Sequence, residues 1–357
     1  MCDPELRSFR PRARRAQRGL SIIEIMVGIV VALLVGLAAI GGAVTFTASQ
    51  RQGIGTGGSL LSATNALAVM RDDASAAGLG FFGDARFLCP RLNLGVGTSV
   101  VHDGAAFTPV RVTAETRGDR IDVVYATQVT SGANVLLAAP SAGDDAQLRS
   151  LLPVSSGQVV LLAPPVPGDP CLVRSVTAVA ASTDDTPQRL SFGAAGPYNQ
   201  AEFTTAAAFA DRGRVTLLGQ LRWSRFRLEG TDLRLERPLG GDPVVLARHV
   251  VAFRVQYGLA AAASGSTALE AWQGADGAFA ALAPGDLPRV RALRIGLVTR
   301  SPQPEKPNAA GECEATTALP ELFGQAVTPD VDDWSCFRYR TVIAAVPLRN
   351  LVMGMTP

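Results

Sequence analysis

The chain has 357 residues, a formal charge of +2 and two histidines, His102 and His249. Six arginines among the first nineteen residues outweigh Asp3 and Glu5 and leave −2 on the remainder, so no basic face for nucleic acid is implied. Two histidines exclude a histidine-rich metal site, and the preference for Arg over Lys, with Lys306 the sole lysine, together with abundant Ala and Gly, suggests a GC-rich bacterial genome.

In chain order, residues 1 to 19 form an arginine-rich head expected to be disordered or a frayed helix. It ends at Gly19, ahead of an uncharged apolar run from Ile25 to Gln50. At about 1.5 Å per residue such a run, as a helix, crosses a hydrocarbon core of roughly 30 Å. A secretory signal peptide places its small-residue cleavage site after the apolar region. Cutting at Gly19 would instead free the head and keep the helix. Glu24 is a lone carboxylate where charge near a bilayer is costly and usually marks function. The arginine asymmetry holds the N-terminus in the cytoplasm and sends the remainder across the membrane.

The stretch Arg18-Gly19-Leu20-Ser21-Ile22-Ile23-Glu24 resembles the prepilin signature of type IV pili and type II secretion systems: Gly, a hydrophobic residue, Ser or Thr, two hydrophobic residues, Glu. The resemblance implies that a prepilin peptidase cuts between Gly19 and Leu20 and methylates the new amine of Leu20, where the family usually has Phe. It also implies that Glu24 pairs with the terminal amine of a neighbouring subunit in the filament, and two charges in apolar surroundings are tolerable mainly as a pair. A simple signal anchor would explain the helix and its flanking charge, but not Gly19, Ser21 and Glu24 together. Signal peptidase acting near Ala39-Ile40-Gly41 would need an apolar region of about 7 to 15 residues, shorter than this one.

Gly53, Gly55, Gly57 and Gly58 predict a bend or melted turn in the helix, since glycine costs about 1 kcal/mol per helical position relative to alanine. Beyond them Leu60, Ala63, Leu67, Met70, Ala74 and Ala77 recur at helical spacing and predict an amphipathic helix lying on a sheet, ended by Gly78-Leu79-Gly80. The rest reads mainly as strands. Ile121, Val123 and Tyr125 alternate, and Gly157 to Pro164 is a short buried strand. Leu221 and Trp223 share one parity and Phe226 and Leu228 the other, which predicts a bulge near Ser224 and Arg225. Glu229-Gly230-Thr231-Asp232 predicts a hairpin into Leu233 and Leu235. Val251, Phe253, Val255, Tyr257 and Leu259 predict one inward face, a pattern repeated by Leu293, Ile295 and Leu297 and by Phe337, Tyr339, Thr341 and Ile343. Ala260 to Pro288 reads as a long excursion pinned by Trp272 and Phe279, and the proline-rich Ser301 to Pro329 as loop.

The expected fold class is α+β, a long N-terminal transmembrane and amphipathic helix packed on a largely antiparallel sheet. The expected divisions are a removable leader 1–19, a membrane helix and filament stem 20–50, a glycine-interrupted amphipathic helix 51–80 and a periplasmic β-rich body 81–357. Once the leader with Cys2 is removed, Cys89, Cys171, Cys313 and Cys336 remain for an oxidising compartment. Three pairings are open. Cys89 with Cys171 and Cys313 with Cys336 is preferred, the second closing a Pro-, Gly- and acid-rich segment.

No catalytic apparatus or cofactor motif emerges. The adjacency of His102 and Asp103 proves nothing about a triad, His249 at a strand start reads as structural, and Asp144-Asp145 and Asp184-Asp185 read as turn residues. Asp330, Asp332 and Asp333 supply oxygen ligands of the kind calcium takes, but without the glycine and distal Glu of a calcium loop.

The segments at 67–84, 249–259 (HVVAFRVQYGL), 289–301 (RVRALRIGLVTRS) and 338–350 (RYRTVIAAVPLRN) resemble PilW-type minor pilins. In that pattern a helix ends in an Ala-Gly turn, one strand ends in QYG, a basic strand ends in RS, and the terminal strand closes in PLRN. The glycine cluster departs from it, since relatives tend to a Gln-rich continuous helix. The resemblance implies a non-enzymatic minor pilin held in the inner membrane and then built into a type IV pilus near its tip. Its implied partners are the prepilin peptidase, other minor pilins, the major pilin and inner-membrane lipid, with no direct nucleic-acid binding. The alternatives are a J-type pseudopilin of type II secretion and a membrane-anchored periplasmic hydrolase.

Overall fold

A computed structural model describes residues 21–83, 86–128, 134–166, 168–205, 208–261 and 268–354. The head, with Cys2, Gly19 and Leu20, lies outside them. The chain divides into two compact units, Met1–Ile54 and Gly55–Pro357. Helix α1 (Ile22–Ala76) contributes to both. The predicted break at Gly53 to Gly58 is absent: the backbone is helical through all four glycines. Glycine weakens a helix through chain entropy but keeps its N–H, so unlike proline it leaves the i→i−4 hydrogen bonds in place. The boundary between the two units nonetheless falls inside this cluster.

In the second unit the buried face of α1 is Ala63, Ala66, Leu67, Met70 and Ala74, continued by Ala77 just past its end. Leu60, expected on this face, is 39% exposed, and Ala66 takes part instead. Four of the six are alanines, which lets the helix backbone lie close to its support, with Leu67 and Met70 as the large fillers. The helix gives way at Ala77, and Gly78 and Gly80 adopt positive φ of 76° and 88°. A Cβ on Gly78 would come within 2.5 Å of the Phe82 ring, so the turn needs glycine for space as well as conformation.

The main strands that follow are β1 (Arg91–Val96), β2 (Ser99–Ala106), β3 (Val110–Ala114), β4 (Asp119–Thr127), β5 (Val159–Ala163), β6 (Cys171–Ser175), β7 (Arg214–Glu229), β8 (Asp232–Glu236), β9 (Val244–Ala247), β10 (Val250–Leu259), β11 (Ala271–Gly274), β12 (Val290–Arg300) and β13 (Tyr339–Pro347). A short helix α2 (Arg349–Gly354) follows. One sheet runs β9-β8-β7-β5-β6-β1-β2, with β4 also paired to β7 and β3 to β4; a second runs β11-β10-β12-β13. Pairing is antiparallel except between β6 and β1, where Cys171 meets Leu92.

The core under α1 joins both sheets: Val112, Ile121, Val123 and Phe226 from the first, and Phe253, Val255, Tyr257, Leu293, Ile295 and Leu297 from the second. A second cluster gathers around Phe81 and the Cys89 and Cys171 sulfurs.

Two strand expectations change. The irregularity in β7 lies at Gly219, which has a φ of 68°, and not at Ser224 and Arg225. Both faces of this strand are covered, Trp223 and Leu221 joining one cluster and Phe226 the other, with Ser224 fully buried between them. The change of parity therefore marks a strand buried on two sides. In β13 the residues facing the helix core are Val342, Ala344 and Val346, while Ile343 is 51% exposed. Phe337 and Tyr339 precede the core-facing run and pack elsewhere: Phe337 under Arg300, and Tyr339 with the cluster of Ala252, Val298 and Leu322. The inward register is accordingly one residue out of step with the expected one.

The end of α1 is sealed by distant groups. The Gly78 N–H donates to the Val124 carbonyl at 2.9 Å, and the Ala126 N–H to the Leu79 carbonyl at 3.0 Å. Asn350 Nδ2 donates to the carbonyls of Ser75 and Ala77, each at 3.3 Å, taking up orphan acceptors of the last turn. The Tyr125 hydroxyl donates to Asp73 Oδ1 at 2.7 Å.

Met70→Ala is expected to destabilise the protein by about 2–5 kcal/mol, whereas Leu60→Ala should stay within about 0.5 kcal/mol, measured by denaturant unfolding in detergent. Equal losses would remove Met70 from the core contact. Burial first, and the Asp73 hydrogen bond next, push the Tyr125 phenol up to about 12. A folded value above the unfolded one, about 10, makes its contribution complete below that pH and lost as pH rises through the folded value. The stability difference between wild type and Tyr125→Phe should therefore shrink between about pH 10 and 12; a constant difference would contradict the bond.

Candidate functional site

The N-terminal end of α1 is built from Ser21 to Glu24. The Ser21 N–H donates to Glu24 Oε2 at 3.1 Å, and the Ile23 N–H donates to Ser21 Oγ at 3.4 Å. The first main-chain bond of the turn runs from the Ile25 N–H to the Ser21 carbonyl at 3.2 Å. This is a reciprocal cap: hydroxyl and carboxylate each take up an N–H that the helix leaves without an acceptor, and the carboxylate sits at the positive end of the helix dipole. Ser-x-x-Glu spacing ahead of an apolar run is legible as such a cap, a signal the sequence reading missed at these residues.

Behind the cap, Ile22–Ala43 is a 22-residue segment of mean hydropathy 2.7 with none of it buried in the protein. Its length as a helix is about 33 Å, enough to cross a bilayer core. Ile22, Ile23, Met26, Leu33, Leu34 and Leu37 are all exposed. An apolar surface of this extent calls for lipid or other protein around it.

The remaining residues singled out by sequence are scattered. His102 lies between Trp223, stacked at 5.4 Å, and Phe107, edge-on at 5.8 Å. Burial, and then the Arg111 charge, hold its pKa below the ordinary histidine value. Asp103 turns instead to Thr204 and Thr205, whose amides donate to it at 3.2 and 3.1 Å, so the neighbours form no dyad. His249 sits at φ 58° just before β10, and its carbonyl accepts the Arg300 N–H at 2.9 Å. Asp330 pairs with Arg117 at 3.4 Å. Among the described residues no group of three or more His, Cys, Asp or Glu is placed to hold a metal.

Two disulfides are present among the described residues. Cys89–Cys171, with Cα atoms 5.5 Å apart, ties the segment after α1 to β6, and Cys313–Cys336, at 4.7 Å, closes the loop between β12 and β13. Chain-entropy reasoning gives each about 3 to 5 kcal/mol.

The C-terminal motifs do structural work. In QYG, Gln256 Oε1 accepts from Arg294 Nε at 3.0 Å, and the buried Tyr257 hydroxyl accepts the Val112 N–H, joining the two sheets. A Cβ on Gly258 would stand 2.6 Å from Leu269 and 2.9 Å from Trp272. The Arg294 guanidinium lies over Trp272 at 4.9 Å and over Phe323 at 4.4 Å. The asparagine that closes PLRN is the clamp on α1.

Ser21→Ala should fray the first turn of α1, seen as faster amide hydrogen exchange at Ile23 in detergent, with no change beyond the second turn. Unchanged exchange at Ile23 would show that the hydroxyl bond is not formed.

Residues 231–350 match the family described as Type IV Pilus-assembly protein W. No curated protein matches the chain. Among solved structures, a type IV-like pilin from Thermus thermophilus is similar at a TM-score of 0.33 and 11% identity, covering 81% of this chain and 95% of that one. The resemblance to the PilW family is thereby shown across residues 231–350, the segment that holds the second sheet, the disulfide-closed loop and the Asn350 clamp.

Proposed function

We propose that the chain is a minor pilin. A prepilin peptidase removes residues 1–19, and Leu20 becomes the methylated terminal residue. The helix anchors the subunit in the inner membrane, with the body in the periplasm, until it enters a type IV pilus, near its tip, alongside the major pilin and other minor pilins. The observation that carries this reading is the pairing of two features at opposite ends of one chain: a capped, wholly exposed apolar helix of membrane length behind Gly19, and the match to a pilus-assembly family over residues 231–350.

The cap gives Glu24 two separable jobs. Its carboxylate closes the first turn of its own helix, and in a filament it would balance the amine of a neighbour. A glutamine at this position still accepts the Ser21 N–H but carries no charge. Glu24→Gln should therefore be cleaved normally and keep the exchange protection of the first turn, yet enter pili poorly. Gly19→Val should leave full-length precursor in the membrane. N-terminal sequencing of membrane-extracted protein and immunoblots of sheared pili read both; Gly19→Val processed normally, or Glu24→Gln incorporated like wild type, would reject the corresponding step.

A further inference from the structure

The first sheet has a gap beside its longest strand. On one edge, β7 pairs with β5 as far as Gly219 and with β8 only from Arg225 onward. Its other edge pairs with β4 from Gly219 to Phe226. The stretch from Gln220 to Ser224, about 17 Å of extended chain, thus has a strand on one side only.

The main chain of this stretch is turned toward the gap. Opposite Trp223 and Leu221 on β4 stand Val124 and Ala126, whose N–H groups donate away from β7, to the Pro109 carbonyl at 2.8 Å and the Leu79 carbonyl at 3.0 Å. Antiparallel strands exchange bonds only at alternate pairs, so Leu221 and Trp223 turn their own N–H and C=O groups to the unpaired edge. Neither flanking strand extends to meet them. Continuing β8 past Glu236 brings Pro238, which has no N–H, opposite Trp223. Further on it brings Gly240 opposite Leu221, and continuing β5 backward brings Gly157; their N–H groups already donate to the Arg237 and Val176 carbonyls, at 2.9 and 2.8 Å. No turn or loop among the described residues makes a main-chain bond to Leu221 or Trp223.

The gap is a cavity of about 260 Å³, lined by Leu221 and Trp223 together with Tyr198, Leu239, Arg222 and Arg237, and by no Asp or Glu. Arg225 and Arg227 close by are paired with Asp122 and Glu236, whereas Arg222 and Arg237 have no carboxylate partner among the described residues. Arg222 is exposed, so its guanidinium is open to a partner arriving from solvent.

We infer that the gap receives an extended, acidic segment of another protein, added to β7 as a short antiparallel strand in line with β5 and β8. A free anion would answer the arginines and leave the strand edge unpaired; a peptide answers both. Side chains directly opposite each other share a face. The segment residue opposite Arg222 is therefore the acidic one, and those opposite Leu221 and Trp223 are apolar, set against Tyr198 and Leu239. The inference rests on the gap and not on the pilus reading, and its test has no pilus readout.

The full chain in detergent is titrated by calorimetry with acetyl-Ser-Val-Glu-Val-Ser-amide, and amide hydrogen exchange is followed at Leu221 and Trp223. The peptide should bind and slow exchange of both amides about tenfold or more. Its analogue N-methylated at both valines, which keeps the charge and loses two donors, should not bind, and neither should glutarate. Arg222→Glu, at an exposed position, should weaken binding about tenfold or more and favour the corresponding Lys peptide instead. No binding, unaltered exchange at the two amides, equal binding of the methylated peptide or of glutarate, or an unchanged preference for Glu over Lys in Arg222→Glu would overturn the inference. Slow exchange of both amides before any peptide is added would overturn it too: protection lost on dilution assigns the edge to a second copy of the chain, and protection kept on dilution to a segment of the chain itself.

Discussion

The constraint on which the body depends is that one narrow strip of α1 has to stay dry. Ala63, Ala66, Ala74 and Ala77 bring the helix backbone close, and Leu67 and Met70 fill what remains. A single sheet does not enclose that strip; strands from both sheets do, with Val112, Ile121 and Phe226 on one side and Phe253, Ile295 and Leu297 on the other. The Tyr257 hydroxyl and the Val112 amide then join the two sheets directly. Apolar burial of about 25 cal/mol per Å² rewards this closure only if the polar ends of the helix are also satisfied, because an orphaned buried carbonyl costs a large part of what one buried side chain contributes.

The same helix meets two environments. From Ile25 to Ala43 it is apolar on every side and unburied, the surface a helix presents to lipid or to other helices. From Ala63 onward it is apolar on one side only, with Arg71 and Asp72 in solvent. The glycines from Gly53 to Gly58 lie between the two regimes in the sequence, and the boundary between the two compact units falls among them.

Much of this was legible in the residues. The three- and four-residue spacing from Ala63 to Ala77 and the alternation of Phe253, Val255 and Tyr257 are local signals, and local signals survive in sequence. The misreadings have physical causes. At the glycine cluster propensity alone predicts a break, but a glycine lowers helix stability without removing a hydrogen bond. In β7 a parity change implies a bulge only where one face is solvated, whereas Trp223 and Phe226 are buried on opposite sides. In β13 the register slipped because Phe337 and Tyr339, the largest residues, serve the outer face beneath the disulfide-closed loop. The Ser21–Glu24 cap is legible in its Ser-x-x-Glu spacing.

Asn350 reaches back to carbonyls at Ser75 and Ala77, some 275 positions earlier in the chain. Two carbonyls at the end of the helix therefore lack this donor until Asn350 has been delivered. Contacts so remote in sequence form late, because the intervening chain must be drawn together before they can be made. A product cut off before Asn350 would present an unsealed helix end. The closing of one helix end is thus tied, through one amide side chain, to a residue some 275 positions further along the chain.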